Sequence, residues 1–168
     1  MSNIVQLNDF KDGEFRIPKT SGQEDTLQNY LNKYERHYLV RLFGVELYDL
    51  FILNLVAGVP SSQRFEDVFN EFVDQDDCLF CDSQGMKLML EGFIYFHYVR
   101  HTFTRNTTNG VKQTKSENSE SLETVSADLT TRYNNAVETY RCIQRRMCNN
   151  SDIYPEYNGV IVEEILPI

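Results

Sequence analysis

Four stretches of the chain carry apolar side chains at spacings of three and four residues. We predict helices from about Glu24 to Phe43, from Val45 onward, from Gln84 to Arg105 and from Leu122 to Cys148. This spacing places apolar side chains on one face of an α-helix, and that face must pack against another element. The sequence therefore predicts a mainly α fold with a four-helix core.

The third predicted helix differs from the others because apolar residues occupy most of its circumference. Its large apolar residues are Met86, Met89, Leu90, Phe93, Ile94, Phe96, Tyr98 and Val99. A helix that is apolar nearly all round lies at the centre of a bundle or is covered by another subunit. We therefore assign Phe93, Phe96 and Tyr98 to a subunit interface as a hypothesis.

The segment between the second and third helices combines a short helical pattern with acidic residues. Gly58 and Pro60 are expected to end the second helix. Residues 61–83 then contain a short apolar pattern at helical spacing, and residues 74–82 are predicted to form a solvated acidic loop. The apolar residues of that pattern are Phe65, Val68, Phe69, Phe72 and Val73.

Both ends of the chain are predicted to lie outside the helical domain, which covers residues 23–148. Residues 1–22 are expected to form an extended N-terminal arm, because the residue before Pro18 is pushed toward extended geometry. Residues 149–168 are expected to form a C-terminal tail with apolar residues near its end. The side chains in these two segments that we assign to contacts with neighbouring subunits are Phe10, Phe15, Ile161, Ile165 and Leu166.

A polar stretch, residues 106–121, separates the third and fourth helices. Asn109-Gly110 is a strong hairpin signal, because a type I′ turn needs positive φ at both central positions. Two polar strands are not stable alone. We therefore predict a protruding polar β-hairpin that docks on another molecule through Asn109, Gly110 and Val111.

Two groups of side chains resemble metal sites but lack part of the pattern. Cys78 and Cys81 have the spacing of half a zinc site, yet Cys142 and Cys148 are six residues apart rather than three. In the acidic segment, Leu79 stands where a calcium-binding EF-hand needs Gly. We expect reduced thiols and a solvated loop rather than metal ligands.

The histidines form a third group, since His97 and His101 lie four residues apart on one helix face and His37 could join them. No Glu follows His97, so the zinc-protease pattern fails. We expect imidazoles on a mixed surface, stacked on Tyr or Phe. The sequence also lacks a nucleophile–base motif and a phosphate-binding Gly-rich loop, and we predict neither an enzyme nor a cofactor.

The net charge of −9 is spread unevenly along the chain. Residues 23–83 carry 12 acidic and 4 basic side chains, whereas residues 84–148 carry 9 basic and 6 acidic ones. Surfaces of opposite sign are suited to joining copies of the chain or a stacked partner. Since neither a secretory signal nor a membrane-spanning stretch is evident, we expect synthesis in a cytoplasm and no membrane partner.

Several segments together resemble a known family. They are Tyr34–Leu39, Leu42–Phe51, Gly85–Leu88, Phe93–Phe96 with Arg100, and the polar ribbon Asn106–Ser119 followed by a long helix. Their order resembles that of the head–tail connector (neck ring) proteins of tailed bacteriophages, including crAss-like phages. The resemblance covers about residues 23–148.

The resemblance implies a structural virion protein, made in the host cytoplasm and located in the neck of the particle. Such proteins form rings, commonly dodecamers, that bind the portal protein and neighbouring neck or tail rings. Double-stranded DNA passes through the ring without sequence-specific contacts, and Arg105, Lys112 and Lys115 are our candidates to face it or an acidic partner. The alternative is a small cytoplasmic helical adaptor that binds a peptide or protein.

Overall fold

The computed structural model describes residues 4–17, 23–76, 79–107, 110–113, 122–160 and 166. The described residues form five α-helices, which confirms the prediction of a mainly helical fold. These helices are α1 (Gln23–Phe43), α2 (Val45–Asn54), α3 (Gln63–Phe69), α4 (Met86–Phe103) and α5 (Leu122–Asn149). Three antiparallel two-stranded sheets pair β1 (Leu55–Val56) with β2 (Val59–Pro60), β3 (Phe72–Asp76) with β4 (Leu79–Ser83), and β5 (Thr104–Thr107) with β6 (Gly110–Gln113).

The boundary between α1 and α2 depends on a glycine. Gly44 adopts φ 78°, a left-handed conformation that L side chains rarely take, so α1 ends there and α2 begins in a new direction. Helices α1, α4 and α5 lie close to their predicted positions, whereas α2 ends at Asn54, before the predicted stop at Gly58 and Pro60, because residues 55–60 form the β1–β2 hairpin. Among the described helices, none is long and apolar enough to cross a membrane.

The core is built around α4, which packs against both α1 and α5. The ring of Phe93 stacks on that of Tyr38 with centroids 3.8 Å apart and meets the ring of Tyr133 at 5.6 Å. A Cβ atom added at Gly92 would lie 3.0 Å from the Cβ of Ala136, so α4 and α5 approach closely at this point. The nearly continuous apolar surface of α4 is therefore covered within one chain.

The prediction of an acidic loop over residues 74–82 is wrong, because most of this segment forms the antiparallel strands β3 and β4. Val73 pairs with Asp82, and Asp74 pairs with Cys81. Phe72 and Val73, assigned to a helical pattern, belong to β3 instead. Burial alternates along β4, as expected for a strand with one face on the core. Cys81 and Ser83 are buried, and Phe80 and Asp82 are exposed.

A disulfide bond joins Cys81 of β4 to Cys142 of α5, with a Cα–Cα distance of 5.6 Å. The expectation of reduced thiols is therefore wrong for these two residues. Cys81 and Cys142 are 61 residues apart in sequence, so the bond fixes the β3–β4 hairpin on the last helix. Cys148 is a free, exposed thiol, and Cys78 lies outside the described residues.

The N-terminal segment, residues 4–17, is part of the core, so the prediction of an extended arm is wrong for these residues. It contains a 3-10 helix, Leu7–Phe10, and buries Ile4, Val5, Phe10 and Phe15. The ring of Phe15 lies 5.7 Å from that of Tyr95 on α4. The sequence prediction failed because irregular backbone leaves no periodic pattern even where its side chains are buried.

The described part of the C-terminal tail crosses the junction between α1 and α2. The backbone N–H of Val160 donates to the Arg41 carbonyl over 2.8 Å, and that of Asn158 donates to the Phe43 carbonyl over 3.3 Å. These bonds satisfy carbonyl groups that the end of α1 leaves without helical partners. Residues 150–160 therefore belong to the packed domain rather than to a separate tail.

Candidate interaction surfaces

Five of the side chains predicted to contact neighbouring subunits are buried inside this chain. Phe10, Phe15, Phe93, Phe96 and Tyr98 are all at most 6% exposed. Their contacts are intramolecular, because the N-terminal segment, α1 and α5 cover α4 from several sides. The interface hypothesis is therefore wrong for these five residues in this conformation.

Of the predicted contact residues in the tail, only Leu166 lies among the described residues. Its backbone N–H donates to Oδ1 of Asn134 over 2.9 Å, and its carbonyl accepts from Nδ2 of Asn134 over 3.0 Å. Asn134 is almost completely buried on α5. Leu166 is thus held on its own chain, whereas Ile161 and Ile165 lie outside the described residues.

The polar segment between α4 and α5 contains strands β5 and β6. In their register Arg105 is paired with Lys112, and Asn106 is paired with Val111. The strands therefore place two basic residues side by side, and Gly110 begins β6. Asn109 and Lys115 lie outside the described residues.

The first exposed apolar surface lies on α2 and the β1–β2 hairpin that follows it. We call it the α2 surface, and Leu53, which is 83% exposed, is its most accessible residue. Glu46 and Asp49 are exposed on the same helix. Leu47 and Phe51 cover the opposite, buried side of α2. The apolar members of the surface are Val45, Leu50, Leu53, Val56 and Val59.

Sequence reasoning missed the α2 surface although a signal was present. α2 carries apolar residues on more than one face, and a ten-residue helix at the edge of a small domain can bury only one of them. Leu50 and Leu53 lie on the face of α2 that is not buried. Groups of exposed large apolar side chains commonly mark sites of protein–protein contact.

The second exposed apolar surface lies on the outer face of the β3–β4 hairpin. Val73 and Phe80 are exposed, the latter by 67%, and Gln75, opposite Phe80 in the register, is exposed beside them. Gln75 also lines a cavity of about 410 Å³, and Arg145 and the exposed Ile153 are among the other residues that line it. We call Val73, Gln75 and Phe80, with the exposed Asp82 that pairs with Val73, the hairpin surface.

The base of this cavity is held by Arg146. Its Nε donates to Oδ2 of Asp74 over 2.8 Å, a second guanidinium nitrogen bonds the other carboxylate oxygen, and Nη1 donates to the Asp67 carbonyl over 2.7 Å. The guanidinium lies 3.4 Å from the centre of the Phe72 ring. Hydrogen bonding to Arg146 lowers the pKa of Asp74. Arg146 therefore fixes β3 against α5.

Arg145 differs from Arg146 because it has no ion pair in the part of the chain that the structure describes. It is half-buried and lines the same cavity. Of the two carboxylates there, Asp74 is bound to Arg146 and Asp67 accepts a hydrogen bond from Gln63 over 2.6 Å. The cavity thus contains two arginine and two aspartate side chains, and among the described residues only Arg146 and Asp74 form an ion pair there.

The histidines lie in a row of aromatic rings between α1 and α4. The ring of His97 stacks on that of Tyr34 with centroids 3.9 Å apart, and its Nε2 lies 2.7 Å from the Tyr38 hydroxyl. His101 meets the ring of Tyr30 at 5.8 Å. The prediction that the imidazoles stack on aromatic rings is confirmed for His97, whereas the ring of His101 is tilted by 47° to that of Tyr30 and the ring of His37 meets that of Tyr34 edge-on. Among the described residues, no group of three or more His, Cys, Asp or Glu is placed to hold a metal ion.

Two buried carboxyl groups contact the N-terminal segment. Glu35 accepts hydrogen bonds from the backbone N–H groups of Ile4, over 3.2 Å, and Val5, over 3.1 Å. Burial raises the pKa of Glu35 to about 7. Burial, together with the negative charge of Asp9, raises the pKa of Glu91 to about 7 as well. Both oxygens of Glu35 are used by backbone donors, which gives this carboxyl a structural role.

Comparisons with known proteins do not identify a family for this chain. No protein-family model, curated protein or solved structure matches it.

Proposed function

We propose that this chain is a structural virion protein, a head–tail connector that forms a ring between the portal and the tail of a tailed bacteriophage and lines the DNA channel. The observation that carries the proposal is the pair of exposed apolar surfaces on one packed domain. A subunit that joins like copies, and also rings above and below, needs more than one contact surface.

The packing of the single chain supports this role. Its aromatic core is covered by its own N- and C-terminal segments, so the domain does not require a partner to bury α4. Among the described residues, most of the exposed large apolar side chains lie on α2, with the adjoining β1–β2 hairpin, and on β3–β4, and the others are Leu88, Ile153 and Val160. Burying such side chains in an assembly is favourable by about 25 cal/mol per Å² of apolar surface.

Strands β5 and β6 carry the basic residues that we propose lie near the DNA. Arg105 and Lys112 are paired in the register, so each subunit has two basic residues at adjacent backbone positions. In a ring this pair is repeated around the axis, which concentrates positive charge although the chain as a whole is acidic. Contacts of this kind neutralise phosphates without reading sequence.

Quantitative mass spectrometry of purified phage particles from the source of the sequence tests this proposal. We expect a copy number close to that of the portal protein, because rings stacked on the portal need matching numbers of subunits. Absence of the chain from finished particles would overturn the proposal and leave a cytoplasmic adaptor or assembly factor as the better assignment.

A further inference from the structure

We propose that the disulfide bond between Cys81 and Cys142 is a redox switch, whose reduction releases the β3–β4 hairpin from α5 while the helical core stays folded. This conformational change takes place within one chain. It goes beyond the proposed function and does not depend on it.

The inner face of the hairpin contributes little apolar surface to the core. Among the described side chains of β3 and β4, only Cys81 and Ser83 are buried, and Asp74 is half-buried. Phe72, at the start of β3, packs against the main apolar cluster but is itself only partly buried. Since apolar burial is the dominant force that keeps elements packed, this force is weak at the hairpin.

The principal polar attachment of the hairpin is made by Arg146 of α5. Its guanidinium binds both carboxylate oxygens of Asp74 and lies 3.4 Å from the centre of the Phe72 ring. The side chains of Asp74 and Arg146 are 38% and 21% exposed, and partly exposed ion pairs contribute little to stability. A longer bond, from the Gln84 N–H to Oγ1 of Thr139 over 3.4 Å, follows the end of β4. Without the covalent bond, the hairpin is therefore weakly held.

The packing of α5 on the other helices does not use the disulfide. Tyr133, Val137 and Tyr140 of α5 belong to the main apolar cluster, whereas Cys142 is bonded to Cys81 outside this cluster. An element that shares few apolar contacts with the rest of a domain can open while the rest stays folded. Release of the hairpin therefore leaves the helices packed.

The disulfide lies beside a cavity that is lined by both the hairpin and α5. Asp74, Gln75 and Cys81 line it from the hairpin, and Arg145 and Asn149 line it from α5. The cavity gives a small thiol such as glutathione a route from solvent toward Cys81. Because the lining comes from two elements, release of the hairpin also opens the cavity.

The redox step is a thiol–disulfide exchange with glutathione. One glutathione thiolate attacks the bond at Cys81, which forms a mixed disulfide there and releases Cys142 as a thiolate. A second glutathione thiolate attacks the glutathione sulfur of the mixed disulfide, which forms oxidised glutathione and frees Cys81. Two electrons pass from two glutathione molecules to the two cysteines, which take up the two protons that the glutathione thiols lost. The reverse sequence with oxidised glutathione restores the bond.

Hydrogen exchange of the full chain, followed by mass spectrometry, tests the release. The oxidised chain is compared with the chain after incubation with reduced glutathione, and alkylation verifies that the bond is reduced. We expect the amides of β3 and β4 to exchange roughly tenfold faster or more after reduction, because a detached two-stranded hairpin is only marginally stable. The amides of α1 and α4 should stay protected, and oxidised glutathione should restore protection of the hairpin.

Two cysteine variants serve as controls for this experiment. Cys142→Ser lacks the bond in any buffer and should show fast hairpin exchange without reductant, whereas Cys148→Ser keeps the bond and should behave as the wild type. The switch would be overturned by a bond that glutathione leaves intact, or by hairpin amides that stay protected after reduction. A common exchange rate for the hairpin and α4 would overturn it too, because the bond would then stabilise the whole domain.

A titration with glutathione tests whether Arg146 helps to position the two cysteines. Asp74→Asn removes the ion pair with Arg146, so the two thiols are held together less often and the bond forms less readily. We expect half-reduction at a glutathione ratio (reduced concentration squared over oxidised concentration) about fivefold lower than in the wild type, the upper range for a partly exposed ion pair. Asp82→Asn, on the exposed face of the same hairpin, is the matched control and should leave the ratio unchanged. Equal ratios for the two variants would overturn the positioning role of Arg146.

Discussion

The carboxyl group of Glu35 accepts a hydrogen bond from the backbone N–H of Val5 over 3.1 Å, although Glu35 is only 6% exposed. The bond ties the N-terminal segment to α1 across 30 residues of sequence. Burial makes this carboxyl group costly to ionise, although its two backbone hydrogen bonds partly offset the cost. We therefore expect the attachment of the N-terminal segment to depend on pH.

The first prediction is that the protein is more stable at pH 5 than at pH 8. The pKa values of Glu35 and Glu91 are raised in the folded state from 4.5 to about 7. Their contribution to stability is fully present below pH 4.5 and is lost as the pH rises through about 7. The difference is on the order of 3 kcal/mol for each group at most, and urea denaturation at the two pH values measures it.

Glu35→Gln provides the control for this pH dependence. The variant cannot ionise at position 35, so about half of the difference between pH 5 and pH 8 should disappear while that from Glu91 remains. An unchanged difference would show that Glu35 does not titrate in this range. Below pH 4 a separate loss of stability is expected. Asp74 and Glu156 have lowered pKa values, and their ion pairs with arginine are broken when they are protonated.

The second prediction concerns Phe10, which is 2% exposed although it lies in the N-terminal segment. Phe10→Ala should lower the free energy of unfolding by about 3–5 kcal/mol, because a large core side chain is replaced by a cavity. Arg16→Ala, in the same segment but exposed, should change it by less than about 0.5 kcal/mol. Equal effects of the two substitutions would contradict the packed position of this segment.

The third prediction concerns the disulfide bond between Cys81 and Cys142. Reduction, or Cys142→Ala, should lower the free energy of unfolding by about 4 kcal/mol, because the bond closes a loop of 61 residues in the unfolded chain. Cys148→Ser should have little effect, since this thiol is exposed and free. Alkylation of the native protein followed by peptide mass mapping should leave Cys81 and Cys142 unmodified, and their modification would contradict the bond.

The helices could be predicted from the sequence because their signals are local. A periodic apolar stripe and a glycine at position 44 are enough to place α1 and α2. The β3–β4 hairpin could not be placed in this way, because it depends on partners far along the chain. Asp74 is bound by Arg146, 72 residues away, and Cys81 by Cys142, and four cysteines allow several pairings.

The exposed apolar surfaces were harder to predict than the helices for a related reason. Sequence periodicity shows that Phe93 and Leu53 both lie on apolar helices, but not which of them is covered. Phe93 is buried because α1 and α5 both pack on α4, whereas Leu53 is exposed because α2 lies at the edge of the domain. Exposure is a property of the tertiary arrangement, so the sequence alone could not show that Phe93, Phe96 and Tyr98 are buried within the chain.

The fourth prediction concerns Gly159, where the C-terminal segment crosses α1. A Cβ atom at this position would lie 2.1 Å from the Leu42 carbonyl oxygen, so Gly159→Ala must displace the segment. The displacement removes the bond from the Val160 N–H to the Arg41 carbonyl and those that the Val160 carbonyl accepts from Tyr140 and Gln144. We expect a loss of about 2–3 kcal/mol in the free energy of unfolding.

Val160→Ala is the matched control, because the Val160 side chain is exposed while its backbone groups make the hydrogen bonds. This variant should change stability by less than about 0.5 kcal/mol. Hydrogen exchange of the residue 160 amide gives an independent readout, with protection kept in Val160→Ala and lost in Gly159→Ala. If Gly159→Ala kept both its stability and this protection, the close approach of the C-terminal segment to Leu42 would be excluded.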